Sequence, residues 1–150
     1  MLKKEFSEIK RILEGHPKKE RLIDFLHKFY SNFSAEFIIL FGSSARGNFN
    51  YRSDIDLLII SNSIQGDYFK RLRKMYEISK GGIDFFVYTT KEFKKMVKQF
   101  NITALEALSE GIFLLDKGLG KKCKGHIDQL IKENKLQKSD HAWIINVERS

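Results

Sequence analysis

The sequence predicts an α/β (α+β) domain in which a small mixed sheet of about four strands is flanked by helices. Short apolar runs rich in strand-forming residues recur along the chain, and amphipathic segments at helical spacing separate them. The length of 150 residues suits one globular domain. Apolar residues make up 42% and charged residues 31%, which is enough for a core and unlike a disordered chain.

Two helices are expected before the first strand. Residues 3–14 and a second segment ending near Tyr30 place apolar side chains at helical spacing. Pro17 suits the first turn of the second helix, because its missing N–H has no partner there. We therefore expect an N-terminal helical hairpin over residues 1–33, outside a core that spans about 34–116.

Four short apolar runs predict the strands of the sheet. They span residues 36–41, 54–60, 83–88 and 112–115. Thr89 and Glu92 have the spacing of a capping box that begins one of the intervening helices. The chain is expected to be helical again from Lys121, so that residues 117–150 form a C-terminal helical extension. No repeat or linker interrupts the sequence, and residues 1–150 are expected to form a single domain.

Two segments have alternative roles that the sequence leaves open. On a predicted helix over residues 67–80, Phe69, Leu72 and Tyr76 are expected to face inward. Its basic side chains are expected to face outward, namely Lys70, Arg71, Arg73 and Lys74. A solvated surface is usual for such a face, and attraction of a polyanionic acceptor is the alternative. The apolar residues around Trp143 are expected to pack back on the domain, a partner or dimer surface being the alternative.

Charge and cysteine content exclude several classes of protein. The formal net charge is +8, with nine basic and four acidic side chains in residues 65–100 against two and three in residues 34–64. A positive excess favours polyanionic partners without specifying one. No apolar run approaches the roughly 18 residues of a membrane span, and no signal peptide is expected. The lone cysteine, Cys123, excludes an internal disulfide and a thiolate metal cluster. We therefore expect a cytoplasmic protein.

The first predicted strand leads into a turn of small residues, Gly42-Ser43-Ser44-Ala45-Arg46-Gly47. A buried strand followed by such a turn and a short helix directs backbone N–H groups outward, where they suit a phosphate. Gly42 lets an anion approach the backbone, and Ser43 adds a hydroxyl donor. A P-loop is excluded, because Asn48 and Phe49 stand where Lys and Ser or Thr are required. A tight structural turn is the alternative for this segment taken alone.

Two acids, Asp54 and Asp56, open the second predicted strand. Residues i and i+2 of a strand point to the same face, about 6.6 Å apart. Carboxylates so placed repel each other and lose solvation beside an apolar run, and a bound divalent cation relieves both costs. Such hard oxygen ligands suit Mg²⁺. The alternative is that Asp54 caps the preceding turn and Asp56 lies at an exposed strand end.

A third acid, Asp84, opens the next predicted strand. If the second and third strands are neighbours, their leading ends lie about 5 Å apart, and Asp54, Asp56 and Asp84 converge on one site. Three carboxylates are what a two-metal phosphoryl-transfer site needs, since that chemistry is mostly positioning and charge stabilisation. The alternative for Asp84 is an ordinary strand-start residue after Gly81 and Gly82.

This combination resembles the nucleotidyltransferase superfamily that includes DNA polymerase β. Gly42 and Ser43 are followed, after ten residues, by Asp54-Ile55-Asp56, with Asp84 on a later strand. More closely, Gly-Ser-Ser-Ala-Arg-Gly followed by Ser-Asp-Ile-Asp-Leu is similar to the minimal nucleotidyltransferases (MNT) of archaea and bacteria. The resemblance spans about residues 36–116 and implies the polymerase β-like fold.

The resemblance also implies metal ligands. Asp54 and Asp56 would bind two Mg²⁺ or Mn²⁺ ions. Asp84 would bind the catalytic metal and orient the acceptor hydroxyl. These three residues would form the catalytic set.

The same resemblance implies a reaction and a partner. Gly42 and Ser43 would hold the triphosphate of an NTP, and Arg46 would touch phosphate. The expected reaction transfers a nucleoside monophosphate, AMP from ATP, to a hydroxyl of a separate acceptor and releases pyrophosphate. Some members of the family are antitoxins that adenylylate a HEPN-type toxin on tyrosine, so such a toxin is an expected partner, and nucleic acid is another candidate acceptor.

Two further hypotheses belong to other functional classes. The chain is alternatively a non-catalytic module that keeps the fold and sequesters a partner such as a toxin. Intact Asp54, Asp56 and Asp84 argue against this, because mutually repelling acids are costly to keep without a metal. A basic RNA-binding domain is a third hypothesis, and the sequence lacks a recognisable motif for it.

Overall fold

A computed structural model describes residues 2–140 and 142–146. The described helices are α1 (Leu2–Ile12), α2 (Lys19–Asn32), α3 (Tyr68–Ile78), α4 (Thr90–Lys98), α5 (Ile102–Glu110) and α6 (Leu119–Lys132). The described strands are β1 (Phe37–Phe41), β2 (Ile55–Ile60), β3 (Ile83–Tyr88), β4 (Ile112–Asp116), β5 (Leu136–Lys138) and β6 (Trp143–Ile145). None of these helices is long and apolar enough to cross a membrane.

The predicted mixed sheet of four strands flanked by helices is confirmed. Its strand order is β3-β2-β1-β4. Strand β1 is antiparallel to β2 and to β4, whereas β2 and β3 are parallel. A parallel pair requires a crossover connection, and α3 provides it. Because β2 and β3 run in the same direction, both begin at one edge of the sheet, where the predicted acids lie.

The two central strands are buried on both faces, as their apolar runs predict. All of β1 is buried, and in β2 only Asp56 is partly exposed. One face of the sheet packs against a cluster that includes Phe25 of α2, and the other against a cluster that includes Phe93 of α4. Burial of each such side chain contributes roughly 1.5–3 kcal/mol. Helices on both faces therefore fix the strands that carry the acidic edge.

The N-terminal helices are part of the core rather than an appendage to it. Phe6, Ile9 and Leu13 are buried in the same cluster as the residues of β1 and β2 that face them. Helix α1 ends at Ile12 and α2 begins at Lys19. Pro17 thus lies in the connection and not in the first turn of α2. This connection passes beside the edge of the sheet where β2 begins.

Helix α3 is rotated relative to the prediction. Its buried residues are Arg71 and Met75, whereas Phe69 is 72% exposed and Tyr76 45% exposed. Leu72 is partly buried against the core, as expected. The burial of Arg71 is possible because its charge is paired and its apolar stem packs.

The partner of Arg71 is Glu92, at the beginning of α4. Its guanidinium donates to the Glu92 carboxylate and, at 2.8 Å, to the carbonyl of Gly66. The predicted capping box of Thr89 and Glu92 is present and holds that carboxylate in place. The ion pair therefore connects α3 to α4. It also explains why Arg71, and not Phe69, lies on the buried face of α3.

The C-terminal region contains α6 and a hairpin that the sequence did not predict. Strands β5 and β6 pair antiparallel in a separate two-stranded sheet. Trp143 is partly buried against the core, and its ring N–H donates to Glu106 at 3.3 Å. This confirms the expected packing for Trp143 but not for Ile144 and Ile145, which are exposed, while Val147 lies outside the described residues.

Candidate active site

Two carboxylates stand side by side where β2 and β3 begin. Asp56 is the second residue of β2, Asp84 is the second residue of β3, and the parallel register pairs them directly. Adjacent strands lie about 4.8 Å apart, and partners in register point to the same face of the sheet. Asp56 is partly buried and Asp84 is exposed. The expected adjacency of the two leading strand ends is thus confirmed.

Gly42 lies against one of these carboxylates. It follows β1, whose last residue, Phe41, is in register with Asp56. Its φ of +75° lies in the left-handed region that favours glycine. A Cβ atom at this position would stand 2.2 Å from Oδ2 of Asp56. Glycine is therefore required for the turn to approach the acidic edge this closely.

The two serines after Gly42 have different surroundings. The Ser44 side chain is buried, donates to the backbone carbonyl of Asp54 at 3.2 Å and contacts Nε2 of His16 at 2.9 Å. Ser43 is partly exposed, and its hydroxyl has no hydrogen-bond partner in the described part of the chain. Ser44 thus anchors the turn to β2, which leaves the Ser43 hydroxyl available to a ligand.

Arg46 extends from the same turn into solvent. Its guanidinium lies 3.5 Å from the Glu110 carboxylate, in an ion pair with about half of the arginine side chain exposed. Its positive charge also lowers the pKa of Asp56, against stronger opposing effects. Arg46 is therefore close enough to the acidic edge to act on charge there.

Asp54 lies immediately before β2, and its carboxylate contacts an amine. Nζ of Lys18, in the connection between α1 and α2, donates to Oδ1 of Asp54. The same amine lies 3.4 Å from the carbonyl oxygen of Arg52. The structure thus brings Asp56 and Asp84 together and turns Asp54 toward Lys18.

Burial and neighbouring carboxylates raise the pKa values of Asp56 and Asp84. Burial, together with the charges of Asp84 and Asp54, raises the pKa of Asp56 to about 6. Burial also raises the pKa of Asp84, with Asp54 adding to the effect and Lys18 opposing it. Each shift means that the site holds more negative charge than its surroundings stabilise. A cation bound there would gain this missing stabilisation.

The donor set suits a hard divalent cation. Mg²⁺ takes oxygen ligands and is usually held by one or two carboxylates together with substrate phosphates and water. Asp56 and Asp84 supply two adjacent carboxylates, and the backbone of Gly42 lies against Asp56. Among the described residues, no three His, Cys, Asp or Glu side chains are arranged as one metal-binding group. Asp54 does not complete a group of three with Asp56 and Asp84, because its carboxylate contacts Lys18.

Two residues of this site were missed by the sequence reasoning. His16 and Lys18 precede α2, and they lie 28 and 36 residues before Ser44 and Asp54, which they contact. His16 is buried and hydrogen-bonded to Ser44. Neither residue belongs to a motif with a recognisable spacing. In the sequence, only Pro17, which lies between these two residues, indicated that the connection between α1 and α2 has a restricted backbone.

Three solved structures are among those similar to this chain. A protein of Sulfolobus solfataricus assigned as a nucleotidyltransferase is 20% identical, over 75% of this chain and 88% of that chain, with a TM-score of 0.49. A chain of a toxin–antitoxin structure with AMP-PNP is 13% identical, over 77% and 88%, with a TM-score of 0.49. A chain from the tri-AMPylated Shewanella oneidensis HEPN toxin in complex with MNT antitoxin is 11% identical, over 90% of each chain, with a TM-score of 0.43.

The family is identified by sequence comparison. No curated protein matches the chain in sequence. A family model, the nucleotidyltransferase domain, matches residues 19–142 and so covers most of the chain. This protein therefore belongs to the nucleotidyltransferase-domain family.

Proposed function

We propose that this protein transfers a nucleoside monophosphate, AMP from ATP, to a hydroxyl of a separate acceptor and releases pyrophosphate. The observation that carries the proposal is the pairing of Asp56 with Asp84 beside the tight turn at Gly42. In the reaction, the acceptor oxygen bonds to the α-phosphorus as the bond to the pyrophosphate oxygen breaks. The hydroxyl proton passes to water as the new bond forms, and the pyrophosphate oxygen keeps the electron pair of the broken bond.

In this proposal, some residues of the site bind the triphosphate and another orients the acceptor. The Gly42 turn gives the triphosphate access to the backbone, and the Ser43 hydroxyl donates to a phosphate oxygen. Arg46 adds positive charge on the same side. Asp84, the more exposed of the paired acids, orients the acceptor hydroxyl toward the α-phosphorus. Positioning of this kind supplies most of the catalysis in phosphoryl transfer.

Two Mg²⁺ or Mn²⁺ ions would be held by Asp54, Asp56 and Asp84. Such ions, when bound, stabilise the charge of the triphosphate and of the leaving pyrophosphate and ease deprotonation of the acceptor. The raised pKa values of Asp56 and Asp84 support this assignment. They mean that the protein alone stabilises the two ionised carboxylates poorly, and a bound cation would stabilise them. Asp54 must leave Lys18 to take part.

The acceptor is proposed to be a separate molecule. The family resemblance makes a HEPN-type toxin tyrosine the first acceptor to test and nucleic acid the second. The basic surface of the chain, with a formal net charge of +8, suits the approach of a nucleotide and of an acidic partner alike.

The test compares two forms of labelled ATP. The purified protein is incubated with Mg²⁺, a HEPN-type toxin or a lysate of its source, and ATP labelled at the α- or the γ-phosphorus. Label from the α-position is expected on the acceptor, and label from the γ-position is not. Asp56→Asn and Asp84→Asn are each expected to lower transfer on the order of 100-fold or more.

The matched control is Asp128→Asn, which removes an exposed carboxylate of α6 far along the chain from the site. It is expected to transfer label at the rate of the unmodified protein. Transfer of the γ-label, or full activity in both site variants, would contradict the proposal. Binding of an acceptor without any transfer would instead support the partner-binding module.

A further inference from the structure

Lys18 brings a positive charge to the acidic edge from outside the predicted core. It lies one residue before the stretch that the family model matches, which begins at residue 19. Its Nζ donates to Oδ1 of Asp54, and only 18% of the lysine side chain is exposed, against 46% of the aspartate side chain. Lysine is rarely buried without a partner. The ammonium is therefore held at the site and is not a solvated surface charge.

The backbone around Lys18 keeps its side chain in this position. Its N–H donates to Nδ1 of the buried His16 at 3.1 Å. Its stem crosses Gly82, where an added Cβ atom would stand 2.7 Å from Cδ of Lys18. The carbonyl of Gly82 accepts from the N–H of Ile55 at 2.9 Å, which joins the beginnings of β2 and β3. The lysine stem thus lies at the junction of the two strands that carry the acids.

The charge of Lys18 acts on more than one carboxylate. It contacts Asp54 directly, and its stem lies over Gly82, two residues before Asp84. One ammonium therefore compensates part of the repulsion in a cluster that the protein otherwise leaves negative. A bound divalent cation would reduce the repulsion between these carboxylates in the same way.

An ammonium and a metal ion cannot both use the same oxygen of Asp54. The two cations repel each other, and a metal bound at Oδ1 of Asp54 would displace Nζ of Lys18. Displacement costs the ion pair and leaves a poorly exposed ammonium without its partner. Triphosphate oxygens near the site would give that ammonium a new anionic partner, and the cost would then be recovered.

We propose that Lys18 is an internal counter-cation that holds Asp54 until nucleotide arrives and so makes metal binding depend on nucleotide binding. The inference rests on the proposed function, because it requires the carboxylates to bind metal. Lys18 is a positioning residue in this account. It competes with metal when metal comes alone, and it moves to phosphate when metal comes with a nucleotide.

Binding measurements test this without any turnover. Mn²⁺ is titrated into the protein, alone and with a non-hydrolysable ATP analogue, and free Mn²⁺ is followed by electron paramagnetic resonance. The unmodified protein is expected to bind Mn²⁺ weakly alone and more tightly with the analogue. Lys18→Met keeps the stem and removes the charge. It is expected to bind Mn²⁺ alone roughly fivefold to tenfold more tightly and to gain less from the analogue.

Two variants separate the local contact from general charge effects. Lys19→Met removes the same charge from the neighbouring residue and is expected to change Mn²⁺ affinity little. Lys18→Arg keeps the charge and is expected to bind Mn²⁺ as the unmodified protein does. Circular dichroism and thermal melting confirm that each variant is folded before titration.

The outcomes distinguish this inference from the proposed function. Unchanged or weaker Mn²⁺ binding by folded Lys18→Met would overturn the counter-cation role alone, provided that Asp56→Asn abolishes binding. An equal change in Lys19→Met would also overturn it, because the effect would then be one of net charge. If the unmodified protein binds no Mn²⁺ with or without the analogue, both the counter-cation role and the proposed metal-dependent transfer are wrong.

Discussion

Gly42 shows how a single residue sets the geometry of the candidate site. Its φ is +75°, and a Cβ atom there would meet Oδ2 of Asp56 at 2.2 Å. Gly47, at the end of the same turn, has a φ of +72° and nothing within 4 Å of its added Cβ. Both glycines therefore have a left-handed backbone conformation. A side chain at Gly42 would collide with Asp56, whereas a side chain at Gly47 would meet no other atoms.

This difference gives a matched pair of variants. Gly42→Ala and Gly47→Ala should each lower the free energy of unfolding by about 1–2 kcal/mol, because both force alanine into the left-handed region. Only Gly42→Ala should also displace the Asp56 carboxylate. We expect it to lower nucleotidyl transfer on the order of tenfold or more, while Gly47→Ala retains most activity, as measured with α-labelled ATP. Equal losses in the two variants would show that turn flexibility, and not the approach to Asp56, is what matters.

The connection between α1 and α2 links an element outside the sheet to the site. The Lys18 N–H donates to Nδ1 of His16, so Nε2 of the neutral ring carries the proton and donates to Oγ of Ser44. The Ser44 hydroxyl in turn donates to the carbonyl of Asp54. The ring also lies against Phe49, with centroids 4.4 Å apart. This chain of contacts is complete only while His16 is neutral.

The His16 contacts predict a pH dependence of stability. Burial lowers the pKa of His16 from 6.5, and the charge of Lys18 lowers it further. The unfolded chain therefore binds the proton first as the pH falls below 6.5, and the folded state loses stability there. Denaturant unfolding between pH 5 and 8 should show this loss in the unmodified protein and a smaller one in His16→Ala. That variant should be destabilised by roughly 1–3 kcal/mol at pH 8, since buried Ser44 loses a partner.

A second histidine variant completes this experiment. His126 is exposed on α6, and His126→Ala should keep both the stability and the pH profile of the unmodified protein. A pH profile that is the same in His16→Ala as in the unmodified protein would rule out His16 as the source.

Helix α3 and the β5–β6 hairpin mark the limits of prediction at the scale of elements. The spacing of apolar residues predicted that α3 exists but placed Phe69 inward and Arg71 outward. The rotation is set by Glu92, 21 residues away, which pairs with Arg71. The hairpin has strands of three residues each, too short for a periodic pattern. It is held instead by Lys138, which pairs with acids of α5.

At the scale of the whole molecule, what the sequence predicted was carried by local pattern. Apolar runs identified the buried strands, and acids at the start of two runs identified one sheet edge once Asp56 and Asp84 proved to be in register. The missed features are polar contacts between distant segments, as between Lys18 and Asp54. Such contacts depend on the final packing of helices on the sheet, and no residue spacing in the chain encodes them.

The acidic edge also lowers the stability of the whole fold. Asp56 has a pKa of about 6 in the folded protein, against 3.8 for the free side chain, chiefly because of burial. The folded state therefore holds the proton more tightly than the unfolded chain does. Its stability relative to the unfolded chain falls as the pH rises from about 4 to about 6, and the cost persists at higher pH. Residues kept for chemistry often reduce stability in this way.

Replacing this carboxylate with an uncharged amide should remove the cost. Without divalent metal at pH 7.5, we expect Asp56→Asn to raise the free energy of unfolding on the order of 1 kcal/mol, since solvent screens part of the charge. The melting temperature should rise by roughly 2–4 °C. The gain should shrink as the pH is lowered toward 4, because Asp56 is then protonated in the folded state and no longer carries a buried charge. Asp128→Asn should show no such gain, and a pH-independent effect of Asp56→Asn would mean that packing, and not buried charge, separates the two proteins.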